Sequence, residues 1–116
     1  MRRYAAGFAM IVAGAAAAPP SSPKLLERAK VVYETEAGCA ACHGVTGEGN
    51  GPVSFALRPP PRNFTKDPFK GGDTLDQIFT TITNGLPGTS MAKFPQLKEG
   101  DRWALAYYVL AFRPHK

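Results

Sequence analysis

The stretch GCAACHG at residues 38–44 places two cysteines and a histidine within five consecutive positions. Four kinds of site use such residues: a disulfide, a reactive dithiol, a zinc ion and a covalently attached haem. Each kind requires different residues elsewhere in the chain. The choice among them therefore constrains the fold more than any other feature of the sequence.

Three of these sites fit the sequence poorly. A structural zinc site needs four ligands, and residues 19–116 offer only Cys39, Cys42, His43 and His115. The side chains of neighbouring Cys42 and His43 diverge. A thioredoxin-like dithiol requires a βαβ context, whereas the flanks of this motif have helical and irregular patterns. A disulfide would make no use of His43, and CxxC loops are tight and reducible.

A covalently attached haem, in contrast, uses every residue of the motif. Cys39 and Cys42 lie about one helical turn apart, so both sulfurs can form thioethers with the vinyl groups on one side of a porphyrin. His43 is then presented to the iron from one face. We therefore predict one haem c, held by Cys39 and Cys42, with His43 as an iron ligand.

The second iron ligand is predicted by elimination. Met1 and Met10 lie in the predicted signal peptide discussed below, which leaves Met91 as the only other methionine. Its context, NGLPGTSMAKF, is a loop with glycines and a proline after an apolar helix, and such a loop can lay one side chain across a flat cofactor. The alternatives are a core-filling role for Met91 and ligation by His115 near the C-terminus.

The N-terminus indicates export. Arg2 and Arg3 precede an apolar, alanine-rich run over residues 4–18 that ends in small residues, as a secretory signal peptide does. We predict a signal peptide over residues 1–18, with an approximate cleavage site, and one domain over residues 19–116. A membrane span needs about 20 apolar residues, and this run stops at Pro19 and Pro20, so a signal peptide is favoured. An uncleaved, marginal anchor is the alternative. The expected location is the periplasm or another exported compartment.

Three amphipathic patterns, separated by glycine and proline, predict an all-α fold. The first follows Ser22 and Pro23, which favour a helix start, and runs to about Glu36. The second has Asp73 as its predicted N-cap and ends at Asn84 and Gly85. The third has Glu99 and Asp101 near its start and Arg113 near its end, and it is closed by Pro114.

Two long irregular segments, residues 44–72 and 86–97, connect these helices. Loops of this length are uncommon in a compact domain unless they enclose something. We therefore expect three main helices with long loops wrapped around one covalently bound haem.

The chain resembles class I c-type cytochromes over residues 24–112. The motifs that carry the resemblance are CAACHG, GEGNGP, a proline-rich loop ending in RNF, TITNGLPGTSM and the closing helix DRWALAYYVLAF. The resemblance implies the small cytochrome c fold, with His43 and Met91 as axial ligands of the haem. It also implies that the first and last helices cross at a small residue, for which Ala29 stands where family members often have glycine.

The same resemblance implies supporting residues around the haem. The carbonyl of Pro52 is expected to accept a hydrogen bond from the second ring nitrogen of His43 and so to fix its orientation. Arg58, Arg62 and Asn63 are candidates to contact the haem propionates, because a guanidinium group matches carboxylate geometry. Simple solvation is the alternative for both arginines.

These residues predict a one-electron carrier rather than an enzyme. Iron with two protein ligands has no open position for a substrate, so the expected role is to shuttle electrons between redox proteins of a respiratory or related chain. One alternative is a fixed electron-transfer subunit of a larger oxidoreductase. The other is a haem enzyme or gas-binding protein in which Met91 is labile.

The distribution of charge predicts the kind of partner. The chain has a net charge of +5, and the basic side chains of the two loops should border the haem crevice: Arg58, Arg62, Lys66, Lys70 and Lys93. We expect redox partners with acidic docking surfaces, because such asymmetry steers their encounter. No nucleic-acid partner is expected, and a membrane is expected only if the N-terminal run is retained.

Overall fold

The computed structural model describes residues 17–114, and it is all-helical over that range. Its four α-helices are α1 (Pro23–Val31), α2 (Ala40–His43), α3 (Leu75–Asn84) and α4 (Glu99–Ala111). Between residues 17 and 114 there is no β-strand, so the predicted all-α class is confirmed. No helix in this range is long and apolar enough to cross a membrane. The predicted signal peptide falls almost wholly on residues 1–16, and His115 falls on 115–116, outside the described residues.

Helix α1 begins where the sequence predicts, but it changes type before it ends. The Ser22 hydroxyl accepts a hydrogen bond from the backbone N–H of Leu25 at 3.0 Å, which satisfies one of the free donors of the first turn. After Val31 the chain continues as a π-helical turn, Val32–Glu36. The backbone N–H of Ala37 donates to the carbonyl of Val32 at 2.8 Å. The predicted helical extent to about Glu36 is correct, with a π-helical last turn.

Helix α3 has a different N-cap from the predicted one. The Thr74 hydroxyl accepts from the N–H of Gln77, and the Gln77 side chain accepts from the N–H of Thr74, both at 3.1 Å. This reciprocal pair is a capping box. The carboxylate of Asp73 instead accepts from the N–H of Phe69 at 2.9 Å, so Asp73 serves the preceding loop. Gly85 ends the helix, as predicted, with φ at 75°.

Helix α4 forms the centre of the fold, because α1 and α3 both pack against it. Its buried residues are Trp103, Ala104, Leu105, Ala106 and Val109. Ala29 is the buried residue of α1 and is 0% exposed, which agrees with a close helix crossing at a small side chain. On α3, the Phe79 ring stacks on Trp103 with 3.8 Å between ring centroids. Aromatic stacking therefore joins α3 to α4.

An ion-pair network on the surface joins α1 to α4. The guanidinium of Arg28 donates two hydrogen bonds to the carboxylate of Glu36, each 2.8 Å long. It also donates to both carboxylate oxygens of Asp101, at 3.1 and 3.0 Å. Since Asp101 lies in the first turn of α4, one arginine fixes the start of that helix against α1.

Candidate functional site

The CAACHG motif forms the short helix α2 with Cys39 as its N-cap. The backbone N–H groups of Cys42 and His43 both donate to the carbonyl of Cys39, at 3.2 and 2.9 Å. Cys39 and Cys42 are not joined to each other by a disulfide. The side chains of the motif are thus held within one turn of helix, as the spacing predicts.

The GEGNGP segment that follows packs directly on α2. The N–H of Gly51 donates to the carbonyl of Cys42 at 3.0 Å, and Gly51 is buried. A Cβ atom at this position would overlap the carbonyl oxygens of Ala40 and Ala41, so only glycine permits the approach. On the other side of the motif, the buried Tyr33 hydroxyl donates to the carbonyl of Gly44 at 2.7 Å. Two hydrogen bonds therefore fix the C-terminal end of α2 to the rest of the fold.

One cavity of about 380 Å³ brings the predicted ligands together. It is lined by Cys39, Cys42, His43 and Met91. The remainder of its wall comes from the two long loops and from α3 and α4. Its large apolar side chains are Phe64, Phe69, Ile78, Ile82, Phe94, Leu105 and Val109. A mostly apolar cavity of this size with a few polar groups suits a small-molecule cofactor. The expectation that the loops enclose something agrees with this arrangement.

His43 is held by groups other than the predicted one. Its Nδ1 atom lies 3.1 Å from the carbonyl oxygen of Arg62, and its ring stacks on Phe64 with 4.2 Å between centroids. Because a carbonyl can only accept, Nδ1 carries the proton and Nε2 remains free to bind a metal. Neither contact was predicted, and the only sequence signal was the aromatic residue at the end of the RNF motif.

The prediction that His43 donates a hydrogen bond to the Pro52 carbonyl is wrong, because the acceptor in this structure is the Arg62 carbonyl. Pro52 is exposed and borders a shallow depression on the outer side of α2. The reason lies in the backbone, because the N–H of Val53 donates to the carbonyl of Ala41 at 3.1 Å and holds this segment outside the cavity. A 2.6 Å hydrogen bond from the N–H of Phe64 to the carbonyl of Gly47 instead brings the later segment over His43.

Burial controls the protonation of the motif. It lowers the pKa of His43 below the ordinary 6.5, against a smaller opposing effect of the Arg62 carbonyl. A neutral imidazole is the form that binds iron. Burial also raises the pKa of the Cys39 thiol to about 11, whereas reactive dithiols need a lowered thiol pKa. Within residues 17–114, no group of three His, Cys, Asp or Glu side chains is placed to hold a metal ion.

Of the three predicted propionate contacts, only Arg62 lines the cavity. The Arg58 guanidinium donates to the carbonyls of Phe55 and Leu57, at 3.1 and 2.7 Å. The side-chain oxygen of Asn63 accepts from the N–H and hydroxyl of Thr65, at 2.9 and 2.6 Å, so Asn63 shapes its own turn. Lys70 also lines the cavity; it was predicted as a docking residue, and its charge in the first loop was the only signal.

Comparison with known proteins places the chain in a family. The family model described as Cytochrome c matches residues 26–112. A solved chain of the reducing HAO-like protein complex from Kuenenia stuttgartiensis is 30% identical, with a TM-score of 0.77. The match covers 84% of this chain and 48% of that chain, so this chain spans about half the length of the solved one. Among curated proteins no match was found.

The cavity and the family match agree on the chemistry. CxxCH is the attachment motif of c-type haem, and here its residues line an apolar cavity within the segment that the family model covers. This chain belongs to the cytochrome c family.

Proposed function

We propose that this protein transfers single electrons between redox proteins by means of one haem c, bound covalently by Cys39 and Cys42. The single observation that carries the proposal is the cavity lined by both cysteines together with His43 and Met91. When bound, the haem supplies a one-electron couple at its iron. The residues of the chain attach it, ligate it and exclude water.

The proposed ligands are His43 and Met91. His43 is held by the Arg62 carbonyl and by the Phe64 ring, so its free nitrogen has a fixed direction. Met91 is half-buried, and its backbone N–H donates to the Thr89 hydroxyl at 3.2 Å. A His and Met pair raises the potential and leaves no position for a substrate, which favours electron transfer over catalysis.

Charge supports an acidic redox partner. Arg62 and Lys70 line the cavity, and Arg58, Lys66 and Lys93 are exposed in the two loops. Between residues 17 and 114 none of these five side chains forms an ion pair, because the ion pairs there belong to Arg28, Lys30 and Arg113. Their charge is therefore available to a partner.

We further propose that the protein is exported, as its N-terminal sequence indicates, and one contact supports a domain that starts near Pro19. The hydroxyl of Tyr107 donates to the carbonyl of Pro19 at 2.7 Å. Residue 19 is thus already tied to α4, which supports a cleavage site somewhere before it. N-terminal sequencing of the exported protein tests this boundary.

Absorption spectroscopy of the purified protein tests the proposed function. We expect a c-type haem that stays attached under denaturing conditions, at one haem per chain, and a reduced form that does not bind carbon monoxide. A purified protein without attached haem would contradict the proposal of a covalent haem c. A reduced form that binds carbon monoxide readily would favour the haem enzyme or gas-binding alternative.

A fixed subunit of a larger oxidoreductase is the second candidate. The observation that favours it is that the similar solved chain belongs to the HAO-like complex. The match covers 48% of that chain. Size-exclusion chromatography of the exported fraction, with haem absorbance as the readout, separates the two candidates. A free carrier elutes at the size of the single chain, whereas a subunit elutes with its partners at fixed stoichiometry.

A further inference from the structure

The cavity wall formed by residues 67–73 is tied to the end of α4 by one side chain. Phe69, Lys70, Gly71 and Gly72 from this wall line the cavity. The guanidinium of Arg113, two residues beyond α4, lies over the Phe69 ring, with its Cζ atom 4.2 Å from the ring centroid. In addition, Arg113 Nη2 donates to the carbonyl of Asp67 at 2.7 Å. One side chain therefore holds both the ring and the backbone of the wall.

Asp73 completes the connection at the other end of the wall. Its carboxylate accepts from the N–H of Phe69 at 2.9 Å and lies 3.7 Å from Arg113 Nη2. Within the wall, the N–H of Gly72 donates to the carbonyl of Phe69 at 3.0 Å. Arg113 thus contacts the start, the middle and the end of the segment.

The wall has other attachments besides Arg113: the N–H of Asp67 donates to the carbonyl of Asn63 at 2.9 Å, and Phe69 packs against the buried core. Phe69 meets Phe64 edge-on with 5.4 Å between centroids, and Asp67 accepts from the N–H of Asn63 at 3.1 Å. The segment itself contains two adjacent glycines, which cost the most entropy to order. Arg113 is the side chain that joins the start, the middle and the end of this wall to the end of α4. The position of the wall should therefore depend on Arg113.

We propose that Arg113 is a positioning residue that closes the 67–73 wall over the haem and thereby limits the access of water to it. The inference rests on the proposed function, since it requires a haem in the cavity. Exclusion of water disfavours the more highly charged ferric state, and burial is one of the properties that set the potential of a haem. Arg113 therefore raises the potential without contact with the iron.

The test compares Arg113→Lys with Arg28→Lys. Lysine keeps the positive charge, but its ammonium cannot stack flat on a ring or donate in a planar fork. Arg28 is the matched control, because it also joins separate segments through ion pairs but does not line the cavity. The measurements are the reduction potential and the hydrogen exchange of backbone amides, which reports local opening.

We expect Arg113→Lys to retain its attached haem, to have a lower potential and to lose exchange protection at the amides of Phe69 and Gly72. Arg28→Lys should have the same reduction potential and the same amide exchange at Phe69 and Gly72 as the unmodified protein. Arg113→Gln should lower the potential at least as much as Arg113→Lys does. If the lysine variant fails to accumulate, the potential and the amide exchange of Arg113→Gln are measured in its place.

Three results would overturn the inference. The first is an unchanged reduction potential in Arg113→Lys together with a lower potential in Arg113→Gln, since the positive charge alone would then account for the shift. The second is a parent potential in both variants, and the third is an equal shift in Arg28→Lys. Absence of haem from the parent protein, seen before any variant is compared, would instead refute the proposed function.

Discussion

The Nδ1 atom of His43 lies 3.1 Å from the backbone carbonyl oxygen of Arg62, 19 residues further along the chain. The acceptor belongs to the main chain, so the side chain of Arg62 can be changed without removal of this contact. The same residue lines the cavity and carries a positive charge. Arg62 thus combines an orienting carbonyl and a positive charge at the proposed site.

We expect Arg62→Gln to keep the haem spectrum and to lower the reduction potential. The backbone carbonyl remains to orient His43, whereas the lost charge had favoured the reduced state. Arg58→Gln is the control, because its guanidinium bonds to the carbonyls of Phe55 and Leu57 and does not line the cavity. Since a charge acts less at longer distance through water, this control should shift the potential less. An equal shift would show that only net charge matters.

Replacement of Met91 tests the second iron ligand. In Met91→Ala the weak charge-transfer absorption of sulfur on ferric iron should disappear, the potential should fall, and the reduced form should bind carbon monoxide. Met91→His should close the iron again at a potential below that of the parent. An unchanged spectrum in Met91→Ala would mean that another residue is the ligand.

The paired substitution Cys39→Ala and Cys42→Ala tests whether folding depends on the haem. The cavity wall takes in core residues of both α3 and α4, and a small domain with an unfilled core has little stability to spare. We expect mostly unfolded or degraded chain, measured by far-ultraviolet circular dichroism and protease resistance. Recovery of a stable, cooperatively unfolding apoprotein would contradict this expectation.

Charge reversal tests the basic surface around the cavity. We choose Lys66→Glu with Lys93→Glu, because both are exposed and neither lines the cavity. At low salt the double variant should react more slowly with the anion ferricyanide, with an unchanged haem spectrum. The difference should shrink as the Debye length falls from about 30 Å at 0.01 M to about 10 Å at 0.1 M salt.

The control for this experiment is Lys24→Glu with Lys98→Glu, which makes the same charge change at the exposed starts of α1 and α4. We expect a smaller effect on the rate. Equal slowing by the two double variants would remove the idea of a localised docking surface.

The connection between α1 and α4 predicts a dependence of stability on pH. Hydrogen bonds from Arg28 lower the pKa of Asp101 below its ordinary 3.8. Because the folded-state pKa is the lower one, the stabilising contribution is present above about 3.8 and is lost as the pH falls through the folded-state value. Unfolding by denaturant should show Asp101→Asn to be less stable than the parent near neutral pH, with the gap closing in acid. A gap that persists in strong acid would assign the effect to packing.

Features that depend on neighbouring residues could be predicted from the amino-acid sequence alone. The spacing of Cys39, Cys42 and His43 places all three within one helical turn in any helical context, and the start of α1 after Ser22 follows from one side-chain cap. The apolar spacing of α3 and α4 likewise specifies which faces pack. These are local patterns, because helix geometry repeats every 3.6 residues whatever the remainder of the chain does.

Which loop residues reach the cavity depends on contacts between distant parts of the chain and could not be predicted from local patterns. Arg62 lines it while Arg58 and Asn63 do not, and the acceptor for His43 is the Arg62 carbonyl rather than that of Pro52. Arg113 contacts Asp67 from 46 residues away. Such contacts depend on the path of loops rich in glycine and proline, which have no periodicity to predict from. That path is set in part by the hydrogen bonds of Gly51 and Phe64 to the carbonyls of Cys42 and Gly47, which lie 9 and 17 residues earlier in the chain.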